Sequence, residues 1–266
     1  MHFIIFRIYF LEIKMKLFIP DNIFASIFTS TFPSESNVEV VKKESALLCK
    51  QLETDTSAVA LIPSLDLINH QTLFVSSKIG ISFDGILSNA YMYFAEKEKK
   101  IDKIKVRGDV SINEIVLTKI LFSERFSSNV EISLDAKQEN SFAGDYIIIG
   151  NENFRLGNYK KGISFSDQIA EMLDLPYVNY VFVSQDKESL EQFNSLLSKA
   201  DEKIDSEIEN ILSNLNYEEE VKDFIRNGLG SVYFELTRNE IDAIKELIKL
   251  VYYHGIVDDI FDIKFL

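Results

Sequence analysis

Residues 103–121 of the chain read KIKVRGDVSINEIVLTKIL, and this stretch contains the pattern that decides the fold. Its first four residues favour a β-strand, Gly108 breaks the strand, and the apolar residues that follow are spaced as on one face of a helix. Asp109 or Ser111 can cap that helix. A strand, a turn and an amphipathic helix in this order indicate an α/β architecture.

The same alternation continues on both sides of this stretch. The capping-box sequence from Thr237 to Glu240 predicts a terminal helix that ends at Gly255. The further helices are predicted at about residues 43–52 and 166–173, and the pattern becomes mainly helical from Lys187 onward. The further strands are predicted at residues 16–19, 38–41, 58–62, 79–83, 90–94, 146–149 and 177–183.

Composition excludes several classes of function. The formal net charge of −14 repels phosphate backbones, so we expect no nucleic-acid partner, and an anion pocket must create its own local positive field. The three histidines show no metal-ligand spacing, and the single cysteine, Cys49, lies in an apolar helical pattern typical of a core thiol. Without metal-ligand spacing we expect no metal, and we see no phosphate-binding loop and expect no cofactor.

The first fourteen residues are apolar but interrupted by Arg7 and Glu12. The run is too short for a membrane span and lacks the features of a signal peptide, so we expect a cytoplasmic protein without a membrane partner. Met15 reads like the opening of a domain. Residues 1–14 are therefore interpreted as an upstream extension, or alternatively as a short extra strand.

Five strings in this order resemble the chorismate dehydratases of the futalosine route to menaquinone. Together they cover roughly residues 15–255. The strings are VALIPS at 59–64, GISFDG at 80–85, AGDYIIIG at 143–150, LDLPYV at 173–178, and the segment from Tyr233 into the helix after Thr237.

This resemblance implies a two-lobed α/β fold like that of the type II periplasmic binding proteins, with the ligand in the cleft between the lobes. The first lobe is expected to hold residues 15–88 and 181–266, and the second to hold residues 89–180. The implied reaction is loss of water from chorismate, which gives 3-[(1-carboxyvinyl)oxy]benzoate. Since aromatisation supplies the driving force, positioning of the ring could outweigh a strong protein base.

The resemblance and the strand ends together give a set of candidate substrate-binding residues, with no residue assigned as catalytic. Any one of the serines has an alternative interpretation as an ordinary cap, and the glycines as tight turns. We also expect the N-terminus of the helix after Gly108 to bind a carboxylate. The candidates are Asn22, Ser64, Ser82, Gly85, Ser88, Asn89, Ser111, Asn113, Gly150 and Asn151.

The sequence departs from the family where that family carries arginines. One arginine corresponds to Ser88 and another to Ile112, and the family's aspartate after the isoleucine-glycine pair is Asn151. Loss of cations at a site for a dianion is not conservative. Either the ligand differs, or Arg107 and Lys78 compensate, or catalysis is lost.

Three further functions stay open beside the dehydratase. The first is a non-catalytic protein that binds a small carboxylate on the same fold. The second is an exported solute receptor, which the missing signal peptide disfavours. The third is the dihydroxynaphthoate-forming enzyme of the same pathway, which the strings resemble less. The oligomeric state is not indicated.

Overall fold

The structure is a computed structural model that describes residues 14–33, 36–95, 101–135, 144–155, 157–197 and 199–266. Residues 1–13 lie outside the described residues, so the interpretation of residues 1–14 as an extension stays a prediction. Within the described residues, the first strand begins at Met15.

Strands and helices alternate through the first two thirds of the chain, and helices dominate the last third. The strands are β1 (Met15–Pro20), β2 (Val38–Lys43), β3 (Val59–Pro63), β4 (Phe74–Phe83), β5 (Ala90–Tyr93), β6 (Lys103–Gly108), β7 (Glu131–Leu134), β8 (Tyr146–Ile149), β9 (Ile163–Ser164), β10 (Tyr177–Ser184), β11 (Val232–Glu235) and β12 (Lys264–Phe265). The helices are α1 (Ile23–Ser30), α2 (Leu48–Thr54), α3 (Ile112–Phe126), α4 (Glu152–Arg155), α5 (Phe165–Leu173), α6 (Lys187–Leu196), α7 (Ala200–Ser213), α8 (Glu219–Gly228) and α9 (Arg238–Tyr253).

Two separate sheets form two lobes, which confirms the α/β class and the two-lobed fold. The larger sheet has the order β11-β4-β10-β3-β1-β2, with β12 added beside β4. The smaller sheet has the order β7-β6-β8-β5-β9. In each sheet the central strands are apolar on both faces, because helices cover both faces of such a sheet.

The chain crosses between the sheets twice. It leaves the larger sheet after Phe83 and enters the smaller sheet at Ala90, then returns between Leu173 and Tyr177. Tyr177 already pairs with Phe83 in the larger sheet, so residues 177–180 lie there, whereas the sequence analysis placed them in the second lobe. The pairing of β10 between β3 and β4 explains this difference.

Gly108 ends β6 in a conformation that only glycine adopts readily. Its φ is +102°, and a Cβ atom there would lie 2.0 Å from the carbonyl oxygen of Ile149 on β8. The turn into α3 can therefore lie close against β8. Ser111 and Glu114 then form a capping box at the start of α3. Of the two predicted caps, Asp109 and Ser111, the helix uses Ser111.

No helix of the described part of the chain is long and apolar enough to cross a membrane.

Candidate binding cleft

Side chains from the two lobes meet where strands of both sheets end. Asn113 of α3 reaches the segment after β3, and Asn151, which follows β8, donates to the carbonyl oxygen of Asp21 after β1 at 3.0 Å. The carboxyl ends of strands are where open α/β sheets bind ligands. This is the cleft that the fold predicted.

Asn113 is the centre of the first contact between the lobes and is fully buried. Its Oδ1 accepts from the backbone N–H of Leu65 at 2.9 Å. Its Nδ2 donates to the backbone oxygen and to Oδ1 of Asn179 at 2.8 and 2.9 Å, with Ser64 Oγ at 3.4 Å. The side-chain amide of Asn113 in the second lobe thus accepts the hydrogen bond of the Leu65 backbone N–H in the first lobe.

Asp109 forms the second contact between the lobes. Its two carboxylate oxygens accept from the backbone N–H and the hydroxyl of Ser45, at 2.8 and 2.6 Å. Ser45 is buried in the first lobe and precedes α2. Burial raises the pKa of Asp109, and the Ser45 hydrogen bonds oppose that rise.

Tyr180 extends this contact into a chain of hydrogen bonds. Because the Ser45 hydroxyl gives its proton to Asp109, the Tyr180 hydroxyl donates to Ser45 Oγ, 3.0 Å away. Asn89 Nδ2 in turn donates to the Tyr180 oxygen at 3.2 Å. Burial raises the pKa of Tyr180 well above its usual value, which keeps this hydroxyl a donor.

Two polar atoms around Tyr180 are buried without a hydrogen bond. They are Asn89 Oδ1 and Glu114 Oε1. Asn22 uses its Oδ1 to cap α1, accepting from Ala25 N at 2.9 Å, and its side-chain hydrogen bond with Tyr180 opposes the rise in the pKa of that phenol. Buried polar atoms without a hydrogen bond are rare in proteins. The centre of the cleft therefore has more hydrogen-bonding groups than its own contacts satisfy.

The start of α3 does not offer the free donors that the sequence predicted. Glu114 Oε2 accepts from the backbone N–H and the hydroxyl of Ser111, at 2.9 and 2.7 Å, and Ser111 Oγ accepts from Asn113 N at 3.2 Å. The carboxylate that the helix itself supplies thus fills the position expected for a ligand. Burial raises the pKa of Glu114 to about 7.

The remaining candidates lie at the crossings and the cleft edge. Ser88 holds the start of α5 through Ser166 Oγ at 2.8 Å, and Ser82 is buried without a hydrogen-bond partner. Gly85 packs against Ser231, and a Cβ atom there would approach to 2.8 Å. Gly150, with φ +79°, donates to the carbonyl oxygen of Asn89 at 2.7 Å. These residues support the cleft rather than line its centre.

Two cavities open at the edges of the cleft. The Arg107 cavity, of about 540 Å³, is lined by Asp21, Lys43, Glu44, Ala46, Val106, Arg107, Gly108, Asp109, Val110, Leu134 and Asp135. The Arg155 cavity, of about 310 Å³, is lined by Asp21, Ile23, Ser26, Lys42, Asn151, Arg155, Leu215, Asn216 and Tyr217. Both are lined by residues of both lobes, and Asp21, which accepts the hydrogen bond from Asn151, lines both cavities.

The cations near the cleft differ in their pairing. Arg107 lies 2.5 Å from Glu152 of its own lobe, and Lys42 lies 2.9 Å from Asp21. Lys78 is exposed on β4, five residues before the end of that strand. Of the two cations expected to replace the missing arginines, only Arg107 lines a cleft cavity.

Sequence reasoning missed Ser45, Asn179 and Tyr180, and it treated Asp109 only as a cap. The signal for two of them was present in β10, YVNYVFVS, where an asparagine interrupts an otherwise apolar strand. No such signal marks Ser45.

Cys49 lies on α2, one turn after Ser45, and is buried as predicted. Its Sγ lies 3.6 Å from Asp66 Oδ2, and burial together with that carboxylate raises the pKa of the thiol far above its usual value. A thiol in such surroundings is unreactive while the lobe stays folded.

The two sheets, the double crossing and the polar cleft define a chain with the fold of the type II periplasmic binding proteins. Solved structures with this fold include AF1704 from Archaeoglobus fulgidus, at 14% identity and a TM-score of 0.59 over 91% of this chain and 98% of that one. The periplasmic aliphatic sulphonate binding protein SsuA from Escherichia coli is similar at 12% identity and a TM-score of 0.62, over 94% and 90%.

The alkanesulfonate-binding protein SsuA from Xanthomonas axonopodis pv. citri, solved bound to MOPS, is similar at 10% identity and a TM-score of 0.57, over 91% and 93% of the two chains. No family model and no curated protein sequence matches the chain. At these identities the likeness concerns the fold alone.

Proposed function

We propose that the chain binds a small molecule through a carboxylate or similar oxyanion in the cleft between its lobes. The observation that carries this proposal is the pair of hydrogen bonds that Ser45 donates to the carboxylate of Asp109, at 2.8 and 2.6 Å. These donors are uncharged, so they can bind an oxyanion despite the acidic surface of the molecule. Two similar structures are named for binding sulphonates, which are also small oxyanions.

Calorimetric titration with chorismate, benzoate and ethanesulfonate tests this proposal. Ser45→Ala combined with Asp109→Ala should weaken binding about tenfold relative to Asp109→Ala alone, because Asp109 no longer competes for the donor and loss of a hydrogen bond to a charged group costs about 1.5 kcal/mol. Ser189→Ala in the same background is the matched control, since Ser189 holds Asp186 with the same two donors at 2.8 and 2.7 Å at the start of α6. Equal binding by Asp109→Ala and both double variants would contradict a site at Ser45.

A second candidate is the chorismate dehydratase of menaquinone biosynthesis, acting in the cytoplasm. The observation that favours it is Glu114, which is 1% exposed and has a pKa raised to about 7. A carboxyl group with such a pKa can exchange a proton near neutral pH. The reaction removes one proton and one hydroxide from chorismate as water, so Glu114 could take the first and return it to the second.

Incubation of the protein with chorismate, followed by chromatography, tests the second candidate. Accumulation of 3-[(1-carboxyvinyl)oxy]benzoate in the parent and its loss in Glu114→Gln would support a dehydratase. Binding of chorismate without any product would leave the small-carboxylate binding protein as the function.

A further inference from the structure

The contact between Asp109 and Ser45 joins the two lobes. Asp109 follows β6 in the second lobe, whereas Ser45 lies between β2 and α2 in the first lobe. A carboxylate of one lobe therefore occupies two donors of the other, in the geometry expected for the carboxylate of a ligand.

The surrounding polar groups indicate that this arrangement leaves part of the site unused. Asn89 is 1% exposed, yet its Oδ1 has no hydrogen-bond partner, although its Nδ2 donates to Tyr180. An unpaired acceptor beside the bound carboxylate is expected where a ligand with a further donor completes the set.

We infer that Ser45 and Tyr180 form the carboxylate-binding position of the cleft, and that Asp109 occupies this position until a ligand displaces it. This inference rests on the proposed function and adds a specific competitor to it. A ligand that binds here must first break the two hydrogen bonds of Asp109. Its apparent affinity is therefore lower than its affinity would be for the same position without Asp109.

The surroundings of Asp109 can receive it after displacement. Asp109 lines the Arg107 cavity, so a freed carboxylate comes into contact with solvent there. Displacement would thus move the carboxylate from a buried position to a hydrated one. Hydration of the charge lowers the cost of opening the position to a ligand.

Acetate provides a test that does not require the natural ligand. Asp109→Ala removes the carboxylate and leaves its position vacant, so sodium acetate should raise the melting temperature of this variant in a saturable manner, relative to sodium chloride at equal ionic strength. The parent should show no such effect, because its own carboxylate fills the position. Asp186→Ala is the matched control, since Asp186 accepts from the backbone N–H and the hydroxyl of Ser189 within one lobe, both at Oδ2.

Titration with chorismate provides the second measurement. Asp109→Asn, which keeps the size of the side chain, should bind chorismate about tenfold more tightly than the parent, a change that corresponds to ~1.4 kcal/mol. Glu44→Ala controls for charge alone, because Glu44 lines the same cavity and lies next to Ser45. It should change the affinity much less than Asp109→Asn.

The outcomes separate the two proposals. If acetate stabilises Asp109→Ala but the parent and Asp109→Asn bind no chorismate, the carboxylate position stands and chorismate is not its ligand. If the parent and Asp109→Asn bind chorismate equally and acetate has no specific effect, the cleft binds ligand elsewhere and the inference about Asp109 is wrong. If Asp109→Ala does not fold, the comparison of Asp109→Asn with Glu44→Ala decides alone.

Discussion

Glu114 is at the same time a helix cap and a buried acid. One carboxylate oxygen caps α3 through Ser111, and the other is buried without a partner. Burial is the main cause of its raised pKa, and the nearby charge of Asp109 adds to it. A buried acid with this pKa makes the stability of the protein depend on pH.

Glu114→Gln should remove a pH dependence of stability. The folded state raises the pKa of Glu114 from 4.5 to about 7, so it binds the proton more tightly than the unfolded state does. The free energy of unfolding of the parent should therefore fall as pH rises from about 4.5 to 7, by at most ~1.4 kcal/mol per pH unit, and stay level above that range. Urea unfolding of the parent and the variant at several pH values measures the difference.

Glu240→Gln is the control for this prediction, because Glu240 has the same capping-box role on α9. It removes the same kind of capping carboxylate, so it separates the loss of a helix cap from the loss of the Glu114 proton. Parallel curves for the parent and Glu114→Gln would mean that Glu114 titrates normally in the folded protein.

Sequence reasoning identified individual polar residues at strand ends but not their partners. Asn113 was a candidate because it follows a turn after a strand, and the structure places it between the lobes. Its partners Leu65 and Asn179 lie 48 and 66 residues away in the chain. Contacts of this range leave no local pattern, so the capping of a backbone donor across the cleft could not be predicted.

At the scale of elements, the turn between β6 and α3 sets how closely the cleft wall approaches β8. Gly108→Ala should destabilise the protein more than its positive φ alone explains, because its Cβ atom would clash with the Ile149 carbonyl oxygen. Gly144→Ala is the matched control, with φ of +101° and no atom within 4 Å of the added Cβ. We expect a loss of about 1–2 kcal/mol at Gly144.

The loss at Gly108 should exceed that at Gly144 by about 1–3 kcal/mol, the cost of forcing extra volume into a packed site. Thermal unfolding measures both. Equal losses would show that β6 and β8 can separate at this point without cost.

The two capping boxes allow helix stability and ligand binding to be separated. Ser111→Ala and Thr237→Ala should each lower the free energy of unfolding by about 1 kcal/mol, since each removes a cap of the same type. Only Ser111→Ala should also change chorismate binding, because α3 carries Asn113 into the cleft and α9 does not. A change in binding with Thr237→Ala of similar size would point to an indirect effect of stability.

The sequence predicted most of the regular elements, since their apolar spacing is a local property. The strand predicted from residue 79 begins at Phe74, because Phe74 and Val75 pair with Ser184 and Val183 of β10. The helix α1 and the strands β7 and β11 were not predicted, nor were the two-residue strands β9 and β12. Strands this short depend on their neighbours in space and carry no periodicity of their own.

For the whole molecule, the resemblance gave the two-lobed fold correctly, and residues 177–180 belong to the first lobe instead of the second. What could not be predicted is that side chains of the second lobe bind donors of the first. The Asp109 contact with Ser45 spans 64 residues and depends on how the lobes approach each other. That approach is a property of the packed molecule, which sequence spacing does not encode.

The net charge of the chain predicts an unusual salt dependence of ligand binding. A formal charge of −14 repels an anion at long range, so added salt should raise the association rate of chorismate by screening that repulsion. Stopped-flow measurements of tyrosine fluorescence between low and physiological salt test this. A rate that falls with salt would show that Lys42, Lys43, Arg107 and Arg155 dominate the field at the cleft.

The reactivity of the single cysteine can be used to measure local unfolding of the first lobe. Cys49 is buried on α2 between Ser45, which binds Asp109, and Asp66, which touches its sulfur. Its alkylation by a maleimide would therefore measure how often this corner of the first lobe unfolds, without any engineered label. If labelling slows when a carboxylate ligand is added, ligand binding in the cleft reduces the local unfolding of α2.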